Sequence, residues 1–280
     1  MATSDDIIRQ LESVNFPAAP EVVVRLSGLL MKEWVTGEQL AEVAMLDAGV
    51  SARVLRLANS VYFRGRGVKS IVEAVLRIGV DGVRDVVYAL SLMRALRPMQ
   101  FGYRPFWRHS LAVAQTAQNL QRRAANVPEP VPELHAAGLM HDLGMLALDR
   151  TLGVGYGRVL SIAHESARPL VEVEREMLDT EHAEIGGRLL QVWRMPERLV
   201  AAVSGHHDPL NSPTEAALLI HLADFVCNNH GVHHGTAFRP EVCEPAVWTE
   251  LGIPVADLPD ILSETEAGLA KADAILAAAN

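Results

Sequence analysis

The chain has 280 residues, 49% hydrophobic and 21% charged, with a formal net charge of −9. That length and apolar content suit a globular protein with a substantial core and exclude a disordered chain, while the acidic balance argues against broad nucleic-acid binding through phosphate neutralisation. No run approaches the roughly 18 apolar residues of a membrane span, the opening Met1-Ala2-Thr3-Ser4-Asp5-Asp6 is acidic where a secretory signal is basic, and Cys227 and Cys243 form no disulfide framework and no CxxC, so a cytoplasmic location is expected.

Helix signals recur along the chain and strand signals do not. Thr3 and Ser4 can cap a first helix running to Leu11, and Pro20 stands where a first-turn proline would before the run from 21 to 30. Thr36-Gly37-Glu38-Gln39 and Ser70-Ile71-Val72-Glu73 both have capping-box spacing and mark helix starts. Between them 51–59 is amphipathic, followed by a Gly65-Arg66-Gly67 turn, and a longer helix is expected from about 82 to 96, stopped by Pro98.

A connector at 99–105 sets a soft boundary. Beyond it, one helix spans 106–123, closed by Pro128, Pro130 and Pro132, and another spans about 133–149 with His141 and Asp142 inside it. Ala136, Ala137, Gly138 and Gly144 soften one face of that second helix, where a neighbour can come close. Asp179 is placed as the N-cap of a helix with His182 in its first turn. Pro196 starts a helix that ends in Ser204-Gly205-His206-His207-Asp208-Pro209, and Ser212-Pro213-Thr214-Glu215 combines a capping box with a first-turn proline to launch 216–228, with Asp224 inside. An acidic tail from Arg239 becomes helical again from about Asp257. The expected organisation is all-α: a helical bundle with an N-terminal helical subdomain (1–100) packed on a helical core (101–235), then an acidic helical extension (236–280).

His141-Asp142 admits two readings, a hydrogen-bonded core pair or two metal ligands, because an ionised Asp among apolar residues needs a cation or donors to offset its burial. Charge is uneven: 50–109 carries eleven Lys/Arg against three acids, a local +8, leaving −17 for the rest. Such a run is either a solvated helical face or a surface for a phosphate ligand or an acidic partner. Cys227-Asn228-Asn229-His230 with His233 and His234 offers an accessory zinc site or, lacking a CxxC partner, a polar loop. His221, one helix turn before Asp224, is a neighbour of the pair or a buried neutral histidine. Trp107 and Trp193 read as core anchors, and His135 and His164 have no partners in view. No nucleophile motif, P-loop or dinucleotide fingerprint occurs.

The order His109, His141-Asp142, Asp224 resembles the HD superfamily of metal-dependent phosphohydrolases. A closer resemblance, to the HDOD subgroup, is carried by Phe16-Pro17-Ala18-Ala19-Pro20, Leu57-Ala58-Asn59-Ser60, Ala74-Val75-Leu76-Arg77-Ile78-Gly79, Trp107-Arg108-His109-Ser110, Ala137-Gly138-Leu139-Met140-His141-Asp142-Leu143-Gly144, Glu181-His182-Ala183-Glu184-Ile185-Gly186 and His206-His207-Asp208-Pro209. It covers roughly positions 10–230. It implies an all-α HD-type core and a role in bacterial signal transduction, usually without demonstrated catalysis, through protein partners in trans or a nucleotide or phosphate ligand. His109, His141, Asp142, His182, His206, His207 and Asp224 match the ligand pattern of the related HD-GYP cyclic-di-GMP phosphodiesterases, implying one or two divalent ions (Fe, Mn, Zn, Ni or Mg), with Asp142 the residue on which any catalysis would depend. Three departures separate the chain from those enzymes: Met145 replaces their lysine, no Gly-Tyr-Pro follows His206-His207, and a further acidic ligand would fall at Pro105. The expectation is therefore a binding module with a retained metal pocket, and the alternative is a metal-dependent phosphohydrolase acting on a nucleotide or cyclic dinucleotide.

Overall fold

A computed structural model describes residues 7–9, 18–30, 35–63, 67–212, 214–235, 243 and 245–279, and among them every regular element is a helix. The cap expected at Thr3 and Ser4, the Phe16-Pro17 and Gly65-Arg66 positions, Pro213 and the tail at 239–242 lie outside the described residues. No helix among those described is long and apolar enough to cross a membrane.

The chain divides into two compact units. One comprises Pro17–Leu96 and Leu269–Asn280, the other Met1–Phe16 and Arg97–Gly268. In the first, α1 (Glu21–Leu30), α2 (Gly37–Met45), α3 (Ala48–Ala58), α4 (Ile71–Ile78) and α5 (Val80–Ala95) follow one another with short connections. Helix starts here are set by side chains that satisfy backbone N–H groups left open by the helix. Thr36 and Gln39 form the expected reciprocal box, at 3.3 and 3.1 Å. Ser70 accepts from Glu73 N–H, but the Glu73 carboxylate accepts from Lys69 N–H instead of closing the box on Ser70. Asp47 caps α3, accepting from the N–H groups of Gly49 and Val50, a start the sequence did not announce. α5 begins two residues before its expected start, because Gly79 at φ +86° lets the chain turn straight out of α4. Leu26, Leu40, Val54, Leu57, Val83 and Val87 are fully or almost fully buried. The C-terminal residues belong to this unit: Arg53 Nε donates to the Ala279 carbonyl and Lys271 reaches Asp85.

The second unit carries α6 (Tyr103–Gln121), α7 (Leu134–Met140), α8 (Leu143–Leu152), α9 (Val154–Ser166), α10 (Leu170–Leu178), α11 (His182–Val192), α12 (Glu197–Ser204), α13 (Glu215–Asn229), α14 (Pro245–Leu251) and the beginning of α15 (Leu258–Ala279). α6 packs on α7 and α13, and α11 packs on α8 and α12. Two glycines make these contacts possible. A Cβ on Gly138 would stand 2.7 Å from Ala114 Cα, and one on Gly144 only 1.8 Å from the His182 carbonyl oxygen.

Three local expectations are corrected. The helix expected over 133–149 is two helices, α7 and α8, and the break falls on His141-Asp142, where Asp142 leaves helical geometry at φ −95°, ψ 8°. Asp179 does not cap α11. It ends α10 in the left-handed region at φ +55°, and α11 starts at His182 behind Glu181. Thr214, not Ser212, caps α13, accepting from Ala217 N–H.

Candidate metal centre

α6 supplies His109, the break between α7 and α8 supplies His141 and Asp142, α11 begins with His182, the turn after α12 holds His206 and His207, and α13 holds Asp224. The structure brings all seven into one continuous cluster. His109 and His141 are fully buried, and Asp224, at 7% exposed, is still inside. Asp142 Oδ2 lies 3.2 Å from His141 Nε2 and 3.5 Å from His109 Nε2, while Asp142 Oδ1 lies 3.2 Å from His182 Nε2. Asp224 Oδ1 lies 3.0 Å from His109 Nε2 and 3.7 Å from His141 Nε2. The His206 ring sits edge-on to those of His141 and His207, and His207 is likewise edge-on to His182.

The far side of each ring decides what its near side can do. His109 Nδ1 donates to the Val232 carbonyl (2.7 Å), His141 Nδ1 to the Gly138 carbonyl (2.8 Å) and His206 Nδ1 to the Val203 carbonyl (2.7 Å). A carbonyl can only accept, so Nδ1 carries the proton and, in the neutral ring, Nε2 presents a lone pair. His109 Nε2 and His141 Nε2 stand 3.3 Å apart, facing the same carboxylate oxygens. Acceptor atoms turned toward one another in a dry interior repel unless a proton or a cation lies between them. His206 Nε2 and Asp142 Oδ2 are buried without any hydrogen-bond partner.

The electrostatics follow from the same geometry. Burial pulls the His141 imidazolium down, but Asp142 and Asp224 outweigh it and hold the group up at about 10. Burial pushes the Asp142 carboxyl up, and His141 and His182 more than reverse that, leaving it well below the usual carboxylate range. Asp224 is held low in the same way by His109 and His141. His206 goes the other way: burial and the neighbouring His207, His141 and His182 drive it well below the ordinary histidine value, so it is neutral. The cluster thus combines two buried carboxylates with inward-facing imidazoles and calls for positive charge, which protons on the rings or a bound cation can supply. Imidazole and carboxylate donors around such a demand fit a divalent transition ion. His109, His141 and Asp142 form one compact group of potential ligand atoms, and His182, His206 and His207 another.

Positions that hold the cluster from behind, among them Glu174 and Val232, were not picked out from sequence. Glu174 accepts from His182 Nδ1 at 2.6 Å, and Glu181 Oε2 lies 3.0 Å from His207 Nδ1. The pattern of α10 carried a signal for the first: Leu170, Val173, Glu174 and Leu178 share its buried face. Asn228 donates to Asp224 Oδ1, the Val232 carbonyl anchors His109, and the His234 ring packs edge-on against His109. His221 lies beside the cluster, its Nδ1 donating to the His206 carbonyl. The Cys227 thiol is buried against the Thr116 hydroxyl, and burial pushes it up to about 12.

An all-helical core that buries a histidine and aspartate cluster at the break between two helices defines an HD-type domain. Over residues 16–209 the chain matches the model of the HDOD domain, and it belongs to that family. Its fold is shared with an HDOD domain protein of unknown function from Geobacter sulfurreducens, at 24% identity, covering 95% of this chain and 94% of that one with a TM-score of 0.78. A protein from Marinobacter aquaeolei VT8, provisionally described as a signal transduction protein, matches at 24% identity and TM-score 0.78 over all of this chain and 61% of its own. A curated relative, an uncharacterised protein from Treponema pallidum (strain Nichols), is 26% identical over 212 residues; the match takes in 75% of this chain and 41% of that protein.

Proposed function

We propose that this chain is a signal-transduction module of the HDOD type that acts by binding a protein partner or a phosphate-bearing ligand, and that its cluster holds one or two divalent ions with little or no catalysis. The observation that carries the metal reading is the convergence of His109 Nε2 and His141 Nε2, 3.3 Å apart, on the buried Asp142 and Asp224 carboxylates, beside a His206 Nε2 that is buried without a hydrogen-bond partner. His109, His141, Asp142, His182, His206, His207 and Asp224 would be the ligands. A bound divalent ion would make a coordinated water acidic and absorb charge on a phosphate oxygen. What argues for binding over turnover is Met145, which stands where the enzymes that the sequence resembles carry a lysine. Met145 is fully buried on α8, and its thioether brings no positive charge to offset that of a scissile phosphate. Metal analysis of protein purified without a nickel column tests the occupancy: about one or two equivalents are expected, and less than a tenth of an equivalent would sink the reading.

The exposed Arg56, in the positive stretch 50–109, is the proposed centre of a contact with an acidic partner. Arg53 is engaged with the Gly49 and Ala279 carbonyls, so Arg56→Glu alone is the cleaner test than reversal of both. Partner binding weakened by salt and by Arg56→Glu is expected, and unchanged binding counts against the surface.

A second reading, metal-dependent phosphohydrolase, draws on one observation: His207 and Asp224 have side chains 15% and 10% exposed, so the cluster has an edge that meets solvent. Incubation with Mn²⁺ or Fe²⁺ and a panel including cyclic dinucleotides separates the two. Turnover abolished by Asp142→Ala favours the enzyme; silence across the panel favours the module.

A further inference from the structure

The imidazoles of the cluster are not equivalent. Those of His109, His141 and His206 are backed by backbone carbonyls, whereas His182 and His207 each have a carboxylate behind the ring, and that of His182 is the closer, at 2.6 Å against 3.0 Å, and the more deeply buried. Glu174 Oε2 accepts from both the ring Nδ1 of His182 (2.6 Å) and its backbone N–H (3.0 Å), so ring and main chain are held by a single oxygen. The other oxygen, Oε1, accepts from the Tyr156 hydroxyl at 2.6 Å. Glu174 and Tyr156 are both fully buried. The line runs from α9 through α10 and α11 to Asp142, whose Oδ1 is 3.2 Å from His182 Nε2.

Both oxygens of Glu174 are engaged by hydrogen bonds, and the carboxylate lies behind the ring, at Nδ1, while Asp142 stands at Nε2. A carboxylate is a stronger acceptor than a carbonyl, and hydrogen-bonded behind a ring it raises the donating power of the opposite nitrogen. Burying a charge so far inside is costly, and three donors on one carboxylate go well beyond what anchoring the start of α11 requires.

We propose that Glu174, gripped by Tyr156, is a positioning residue that locks His182 with Nε2 toward Asp142 and makes it the most strongly donating imidazole of the cluster. The inference rests on the reading of the cluster as a cation site, and the experiment separates the two. The full chain, stripped with a chelator, is titrated with Mn²⁺ by calorimetry, with His182→Ala as the reference for loss of a ligand. Circular dichroism of each metal-free variant gives its folded fraction, so that a fold defect is not counted as lost affinity. Glu174→Gln, nearly isosteric but uncharged, is expected to weaken the tightest step by about 10- to 100-fold, and Tyr156→Phe to weaken it less, in the same step. NMR of the His182 ring supplies a readout free of metal: the Nδ1–H proton, held at 2.6 Å by a carboxylate, is expected far downfield in the starting protein and shifted upfield in Glu174→Gln. Unchanged affinity in Glu174→Gln, where His182→Ala weakens binding, overturns the positioning role and leaves the cation site standing. No binding by the starting protein overturns both. Should Glu174→Gln fail to fold, Tyr156→Phe decides, with a loss of about threefold or more in support and no change against.

Discussion

In the unit formed by Pro17–Leu96 and Leu269–Asn280, Thr36, Asp47 and Ser70 sit at helix starts and hold backbone N–H groups, while the interior is filled by residues such as Leu26, Leu40 and Leu57. Its few buried polar groups are paired locally, Ser27 with Tyr88 and Asp85 with Arg84 and Lys271. In the unit formed by Arg97–Gly268 the arrangement is inverted. Helices α7, α8, α9, α11 and α12 show no side-chain cap, and the charged and ring groups are gathered in the middle instead. Both units are all-helical, so the difference lies in their interiors: one is filled mainly with apolar side chains, and the other also buries a cluster of histidines and carboxylates.

Substitutions can break that contrast, beginning with the strongest. Asp142→Ala is expected to abolish cation loading, leaving less than about a tenth of an equivalent by elemental analysis, because Asp142 faces His109, His141 and His182 together. Leu57→Ala, at a fully buried scaffold position, is expected to cost about 2–5 kcal/mol in urea unfolding while leaving the cation stoichiometry of the folded protein unchanged. Gly144→Ala should cost about 1–3 kcal/mol and, unlike Leu57→Ala, also weaken cation binding, since the backbone of His182 must retreat.

The smallest effect is expected at Asp47. Asp47→Ala removes a helix cap worth about 1 kcal/mol. Burial raises the Asp47 carboxyl, but the N–H groups of Val50 and Gly49 and the guanidinium of Arg94 outweigh it and hold it below 3.8. A depressed carboxyl contributes fully above its unfolded value and loses that contribution as pH falls through the folded one. The stability gap between the two proteins is therefore constant from neutral pH down to about 4 and narrows below, which denaturation at a series of pH values measures.

The all-helical class was legible because apolar periodicity and capping chemistry are local, as at Thr36. The break at His141-Asp142 was not, because no proline or glycine marks it; close packing on α6 and α11 imposes it. The seven clustered residues were legible only as an ordered set resembling a family, since their spacings run to tens of residues and no local period joins them. Glu174 was missed for a related reason: a glutamate on a helix reads as solvent-facing unless the apolar positions around it are counted, and its partner His182 lies on the next helix. For His109, His141 and His206 the direction in which Nδ1 is held depends on a backbone carbonyl, a contact that no residue type announces in sequence.

Gly144 fixes how closely two walls of the cluster approach. Its bare Cα lets α8 rest directly on the main chain at His182, so the distance between the two helices is set by backbone thickness and not by compressible side chains. The spacing of Asp142 from His182 inherits that fixed gauge. A side-chain swap in the cluster would alter one donor at a time, whereas a change at this contact would move Asp142 and His182 relative to each other.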